Sequence, residues 1–147
     1  MKTMNLLLAA ATAIGASSPL GAAVSTDESR MKAQAAQTFT IFMLVKTSPA
    51  WLKLKPDERF AFLREQIEPI LGAHPQVRMR FFDSEGYNSR ATDVILWETQ
   101  DLLGYQSVVD ALRETRFWGD YFDVIEIVPS VENAYAEAYD EKPVGGH

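Results

Sequence analysis

Between residues 38 and 46 the chain alternates with period two and is oily on both sides. Phe39, Ile41, Met43 and Val45 share one face, and Phe42 and Leu44 lie among Thr40 and Lys46 on the other. Such a run predicts a central strand covered on each face. Thr47-Ser48-Pro49 ends it, and Trp51, Leu52 and Leu54 form an apolar approach to a helix. That helix opens at Pro56 with Asp57 and Glu58 in its first turn, a residue order suited to a helix start. Phe60, Leu63, Ile67, Ile70 and Leu71 recur at helical spacing; Pro69 predicts a kink, and Gly72 a C-terminal cap.

Residues 77–83, Val-Arg-Met-Arg-Phe-Phe-Asp, alternate again, with Val77, Met79 and Phe81 on one face and Arg78, Arg80 and Phe82 on the other. Turn-forming residues 84–89 join them to a second arm, 91–99, so the two form a hairpin. Asp101 caps a second helix with Leu102, Tyr105, Val109 and Leu112 inward. A last strand, 122–128, stops at Pro129, and a short helix is expected within 131–139. The order strand, helix, strand, strand, helix, strand, with right-handed crossovers, predicts an α+β ferredoxin-like sandwich. Its four-stranded antiparallel sheet carries two helices on one face.

Two helices cover one side only. With Val77, Met79, Phe81, Val94, Leu96, Ile125 and Ile127 assigned to the helix side, the open face collects Arg78, Arg80, Phe82, Asp93, Ile95, Trp97, Val124, Glu126 and Val128. That surface is too apolar to stay wet, and patches of this kind mark interaction sites. A second copy packing sheet on sheet, as a dimeric α+β barrel, is the simplest cover. On that reading Arg78, Arg80, Phe82, Asp93, Trp97 and Glu126 are dimer-interface or ligand-binding residues. In the first form the arginines pair with Asp93 and Glu126 and set the dimer's register; in the second, the arginines and Trp97 line a cavity for a small anionic or aromatic molecule.

Composition narrows the rest. Hydrophobic residues are 47% and charged residues 23% of 147, as in an ordinary globular domain. A net charge of −6 with no basic stripe argues against nucleic acid as a partner. The chain has no cysteine, which removes disulfides and thiol nucleophiles. Only His74 and His147 could offer imidazole, so neither a metal nor a cofactor is called for. Asp83 and Glu85 read as solvated loop charge, Trp51 and Trp118 as packing. Residues 1–23, with Lys2, an apolar run from Leu6 to Ile14 and small residues at Gly21-Ala22-Ala23, read as a signal peptide. That predicts a periplasmic or secreted protein with no stable membrane insertion, or a cytoplasmic one if translation starts at Met31. Residues 24–37 read as a polar linker, 38–140 as the domain and 141–147 as a tail.

Several long stretches carry a family resemblance: Phe-Thr-Ile-Phe-Met-Leu-Val-Lys-Thr at 39–47, Pro-Asp-Glu-Arg-Phe-Ala-Phe-Leu at 56–63 and Met-Arg-Phe-Phe-Asp-Ser-Glu at 79–85. Asp-Val-Ile-Leu-Trp-Glu-Thr at 93–99, Leu-Arg-Glu-Thr-Arg-Phe-Trp-Gly at 112–119 and Glu-Asn-Ala-Tyr-Ala at 132–136 continue it. Over residues 38–139 the chain resembles the darcynins, small bacterial proteins of unknown function. The resemblance implies no activity and no catalytic residues. The expected fold is also similar to dimeric α+β barrels, which include cofactor-free monooxygenases, haem-handling enzymes and ligand sensors; that likeness is of fold alone. The expectation is a homodimeric binding or structural protein without enzymatic activity. The alternative is an enzyme or sensor acting on a small aromatic or anionic compound in the barrel interior.

Overall fold

A computed structural model describes residues 37–145. The expected signal peptide, most of the linker and the last two residues of the tail lie outside that range. The strands are β1 (Phe39–Thr47), β2 (Arg78–Asp83), β3 (Asp93–Thr99) and β4 (Phe122–Val131). They form one antiparallel sheet in the order β2-β3-β1-β4. Among the helices are α1 (Pro49–Leu52), α2 (residues 56–73), α3 (Leu102–Arg113) and α4 (Ala134–Ala138). The fold is the α+β ferredoxin-like sandwich its element order implies.

Why β1 lies inside the sheet is plain from its side chains. Ile41, Met43 and Val45 are fully buried beneath the helices, while Phe42 and Leu44 occupy the other face. Val108 and Leu112 of α3, Ile67 of α2, and Ile95 and Trp97 of β3 complete that core, with Phe117, Tyr121 and Phe122 at one end. Asp101 caps α3 through a hydrogen bond from Gly104 N to its Oδ1 at 2.9 Å. A Cβ on Gly104 would stand 2.6 Å from the other oxygen of that carboxylate and 2.6 Å from Gln76 Nε2. Any side chain there would have to push the Asp101 carboxylate and the Gln76 amide aside, and the hydrogen bonds from Gly104 and Gln76 lower the Asp101 pKa. Leu102, expected inward, is exposed, and Val108 takes the buried position.

Three local departures have physical causes. The Ser-Pro pair after β1 starts a helix as well as ending the strand: Ser48 Oγ accepts from the amides of Ala50 and Trp51 and caps α1. In α2, Pro69 has no amide and its ring crowds the carbonyl four residues back. The helix runs as α from Pro56–Phe62, widens to a π turn at Leu63–Ile67, and resumes as α over Glu68–Ala73. The Glu68 amide reaches Leu63 O, five residues back, so the ladder is already offset where the proline enters. Gly72 is accordingly inside the helix, and His74 is its C-cap. Strand β4 continues through Pro129 to Val131, because β4 is an edge strand where a missing amide need not break the ladder.

The faces of two strands differ from the sequence expectation. Met79 pairs with Trp97, Phe81 with Ile95 and Asp83 with Asp93, so all six point to the helix side. Arg80 pairs with Leu96 and Phe82 with Val94 on the open side. Strand β3 is apolar on both faces, so alternation alone carries no phase, and Asp93 is a polar residue in the buried set. In β4, Glu126 pairs with Leu44 but Val124 with Val45, which leaves Ile125 as the extra residue of a bulge. Val124 and Ile127 thus both take the helix side, Val124 packed against the core and Ile127 opposite Met43.

Candidate functional site

A cavity of about 370 Å³ opens between α2 and the β2–β3 end of the sheet. Its walls are mostly apolar: Phe60, Leu63 and Ile67 from α2, Met79 and Phe81 from β2, Ile95 and Trp97 from β3. Two of these, Leu63 and Ile67, belong to the π turn, where the widened backbone sets them over the sheet. Trp51 and Leu52 of α1 close one end together with Arg59. Asp83, Glu85, Asp93 and Thr47 line the polar part.

Asp93 is the chemical centre of this cleft. It is 6% exposed. Its Oδ2 accepts from the hydroxyls of Thr92 at 2.6 Å and Thr47 at 3.2 Å, and the Thr47 amide donates to Thr92 Oγ1 at 2.8 Å. No described residue donates a hydrogen bond to Oδ1, and no described cation lies within ion-pair distance. Burial pushes the Asp93 pKa above its ordinary value; the two hydroxyls oppose the rise, and the negative charges of Asp83 and Glu85 add to it. Trp97 is fully buried, and its Nε1 has no hydrogen-bond partner. Arg59 is partly engaged: its Nη2 donates to Leu52 O at 3.0 Å, its guanidinium stands 5.8 Å from the Trp51 ring centroid, and its Nε is buried without a partner.

The open face of the sheet is a second surface. Two rows cross all four strands there, Arg80-Leu96-Phe42-Val128 and Phe82-Val94-Leu44-Glu126. Phe42, Phe82 and Val128 are 36%, 45% and 40% exposed. The Arg80 guanidinium lies 3.5 Å from Glu98 and 5.7 Å from the Phe82 ring centroid, and Arg90 pairs with Glu126 at 3.0 Å.

Of the residues picked from sequence, Arg78, Arg80, Phe82 and Glu126 share this open face. Asp93 and Trp97 do not. They lie on the opposite side of the sheet, so neither can pair with or sit beside the arginines, and Glu98 and Arg90 fill those partner positions instead. Asp83 and Glu85, read as loop charge, stand at the cleft. Thr47, Arg59, Phe60 and Leu63 carry no chemical motif in the sequence; Pro69, which marks an irregular stretch of α2, is the nearest signal for Leu63. Among the described residues no cluster of three or more His, Asp or Glu side chains is placed to hold a metal ion. No described helix is long and apolar enough to cross a membrane.

The sequence pattern of the darcynins, a domain of unknown function, matches residues 25–146. The chain belongs to the darcynin family. A darcynin homolog from Granulibacter bethesdensis is 54% identical over 101 residues, covering 68% of this chain and 82% of that protein. Another, from Streptomyces avermitilis, is 47% identical over 106 residues, covering 71% and 88%. Solved structures similar in fold include a mutant chlorite dismutase from Candidatus Nitrospira defluvii, at TM-score 0.54 and 14% identity. The alignment takes in 66% of this chain but only 40% of that one. A dimeric chlorite dismutase from Nitrobacter winogradskyi aligns at TM-score 0.52 and 19% identity, over 63% and 56% of the two chains. At these identities the darcynin chain shares a fold with the dismutases and nothing finer.

Proposed function

We propose that this darcynin is a homodimeric binding protein that holds a small, largely apolar molecule in the cleft under α2. The observation that carries the reading is the cleft itself. A cavity of about 370 Å³ with apolar walls and one buried carboxylate has the size and make-up of a small-molecule site. The dimer is supported by the open sheet face, whose Leu96-Phe42-Val128 row is otherwise left to water. Charge favours a two-fold pairing. Arg78 and Arg80 lie at the β2 edge and Glu126 at the β4 edge. A two-fold axis along the strands sets β2 of one copy over β4 of the other and so brings opposite signs together, in addition to the Arg80–Glu98 and Arg90–Glu126 pairs within each chain. The Nitrobacter protein that shares this fold is itself described as dimeric.

A second reading, an enzyme or sensor, is favoured by Asp93. A buried carboxyl with a raised pKa, beside a cavity, suits general acid–base work. Native mass spectrometry of the protein from its own cells tests the first reading. The expected species is a dimer carrying a small adduct that is lost in Leu63→Trp, where the larger side chain fills the cleft. A monomer would overturn the dimer, and an adduct retained by Leu63→Trp would overturn its location. Incubation with the recovered compound separates binder from enzyme: a binder returns it unchanged.

A further inference from the structure

We infer that the molecule held in this cleft is a small organic cation, a primary amine on an aromatic or branched aliphatic body. The inference deepens the binding reading above and rests on it. Three carboxylates, Asp83, Glu85 and Asp93, line the cavity against one guanidinium, that of Arg59. Its Nη2 donates to the Leu52 carbonyl and it stands by the Trp51 ring; its Nε is buried without a partner, and it forms no ion pair with any of the three. A buried carboxylate is costly unless a charge or hydrogen bonds compensate it.

Asp93 is compensated on one side only. Oδ2 takes both threonine hydroxyls, while Oδ1 receives no hydrogen bond from any described residue and is not enclosed, so it is open to a donor from the cleft. An ammonium group, with three donors and a positive charge, suits that oxygen and the neighbouring Asp83, which pairs directly across from Asp93. An anion would find the single guanidinium of Arg59 set against the same three carboxylates, so the net charge of the lining opposes it. The walls set the rest of the molecule: Phe60, Phe81, Ile95 and Trp97 offer two benzene rings, an alkyl face and an indole edge. The unpartnered Trp97 Nε1, buried in the same lining, adds one donor that a ligand oxygen could satisfy.

The test compares three molecules of one size, phenethylamine, 2-phenylethanol and phenylacetate, by calorimetry on the wild type, Asp93→Asn and Leu63→Trp. The amine is expected to bind the wild type about tenfold or more tightly than the alcohol, with the acid weakest. Asp93→Asn should bring the amine down to the alcohol's affinity and leave the alcohol unchanged. If the alcohol or acid binds as tightly as the amine and Leu63→Trp abolishes it, the cation inference falls and the cleft reading stands. If none of the three binds the wild type, the amine class is wrong; if indole also fails to bind, the cleft reading falls with it. Should Asp93→Asn not fold, Asp83→Asn/Glu85→Gln at the exposed rim serves instead. An unchanged amine preference in that double variant would overturn the inference.

Discussion

Phe42→Asp is the sharpest probe of association. Phe42 stands mid-face, between Leu96 and Val128 in adjacent strands, and keeps 36% of its surface exposed in the isolated chain. Burying a whole phenylalanine is worth about 1.5–3 kcal/mol, so covering the remaining third in two copies contributes about 1–2 kcal/mol to a dimer. The aspartate loses that and adds two carboxylates to a closed interface, each costing several kcal/mol where no cation meets it. A total above about 5 kcal/mol corresponds to more than ~1000-fold in dimer Kd. Within one chain the change is milder, on the order of 1 kcal/mol of strand preference plus lost contact with Leu96 and Val128. Sedimentation equilibrium across the micromolar range reads the Kd, and far-ultraviolet circular dichroism confirms that the sheet persists. A wild type that sediments as a monomer, or a folded Phe42→Asp protein with wild-type Kd, would refute the sheet-face reading.

Arg80→Met separates the single chain from the pair. The exposed Arg80–Glu98 contact at 3.5 Å is worth about 0–1 kcal/mol in the monomer, whereas an interface that covers it leaves Glu98 buried and unpaired, at about 3–5 kcal/mol. A variant whose Kd does not move while its fold is intact would place Arg80 outside the interface. Leu112→Ala empties a fully enclosed position beneath α3, and urea unfolding should show a loss of about 2–5 kcal/mol. Asp93 governs a pH effect with a definite sign. Its pKa is raised in the folded state, so its contribution is greatest below the ordinary aspartate pKa and is lost as pH rises through the raised value. The difference in unfolding free energy between wild type and Asp93→Asn should fall across that window and stay flat above it; a difference that grows with pH would refute the assignment.

Topology was legible in the chain because each element announces itself: the two-faced apolar run of β1, the proline start of α2, the Asp101 cap, the turn-rich hairpin loop. Arg78, Arg80, Phe82 and Glu126 fell on the expected open face for the same reason, period-two alternation. Asp93 and Trp97 were put on the wrong face. Val94 and Leu96 are as oily as Ile95 and Trp97, so Asp93 alone gives the strand a polar side, and an aspartate ordinarily marks the wet one. Here it is buried because Thr47, on another strand and 46 residues away in sequence, donates to it together with Thr92. No local pattern contains that pairing. The cleft was hidden likewise, since its lining comes together from α1, α2, β2 and β3, which only the folded chain brings side by side.

Pro129 and the bulge at Ile125 bear on how copies of this chain can and cannot add to one another. A sheet can grow sideways, strand joining strand, and each addition then leaves a fresh border for the next, which is the geometry of a fibre. On the β4 border the bulge breaks the regular ladder and the proline withholds an amide, so a neighbouring strand finds a poor template. Two copies meeting flat side to flat side use up the sticky surface and expose no new one. The same few residues that make β4 irregular thus close that border to sideways growth and leave the flat face as the surface by which copies can meet.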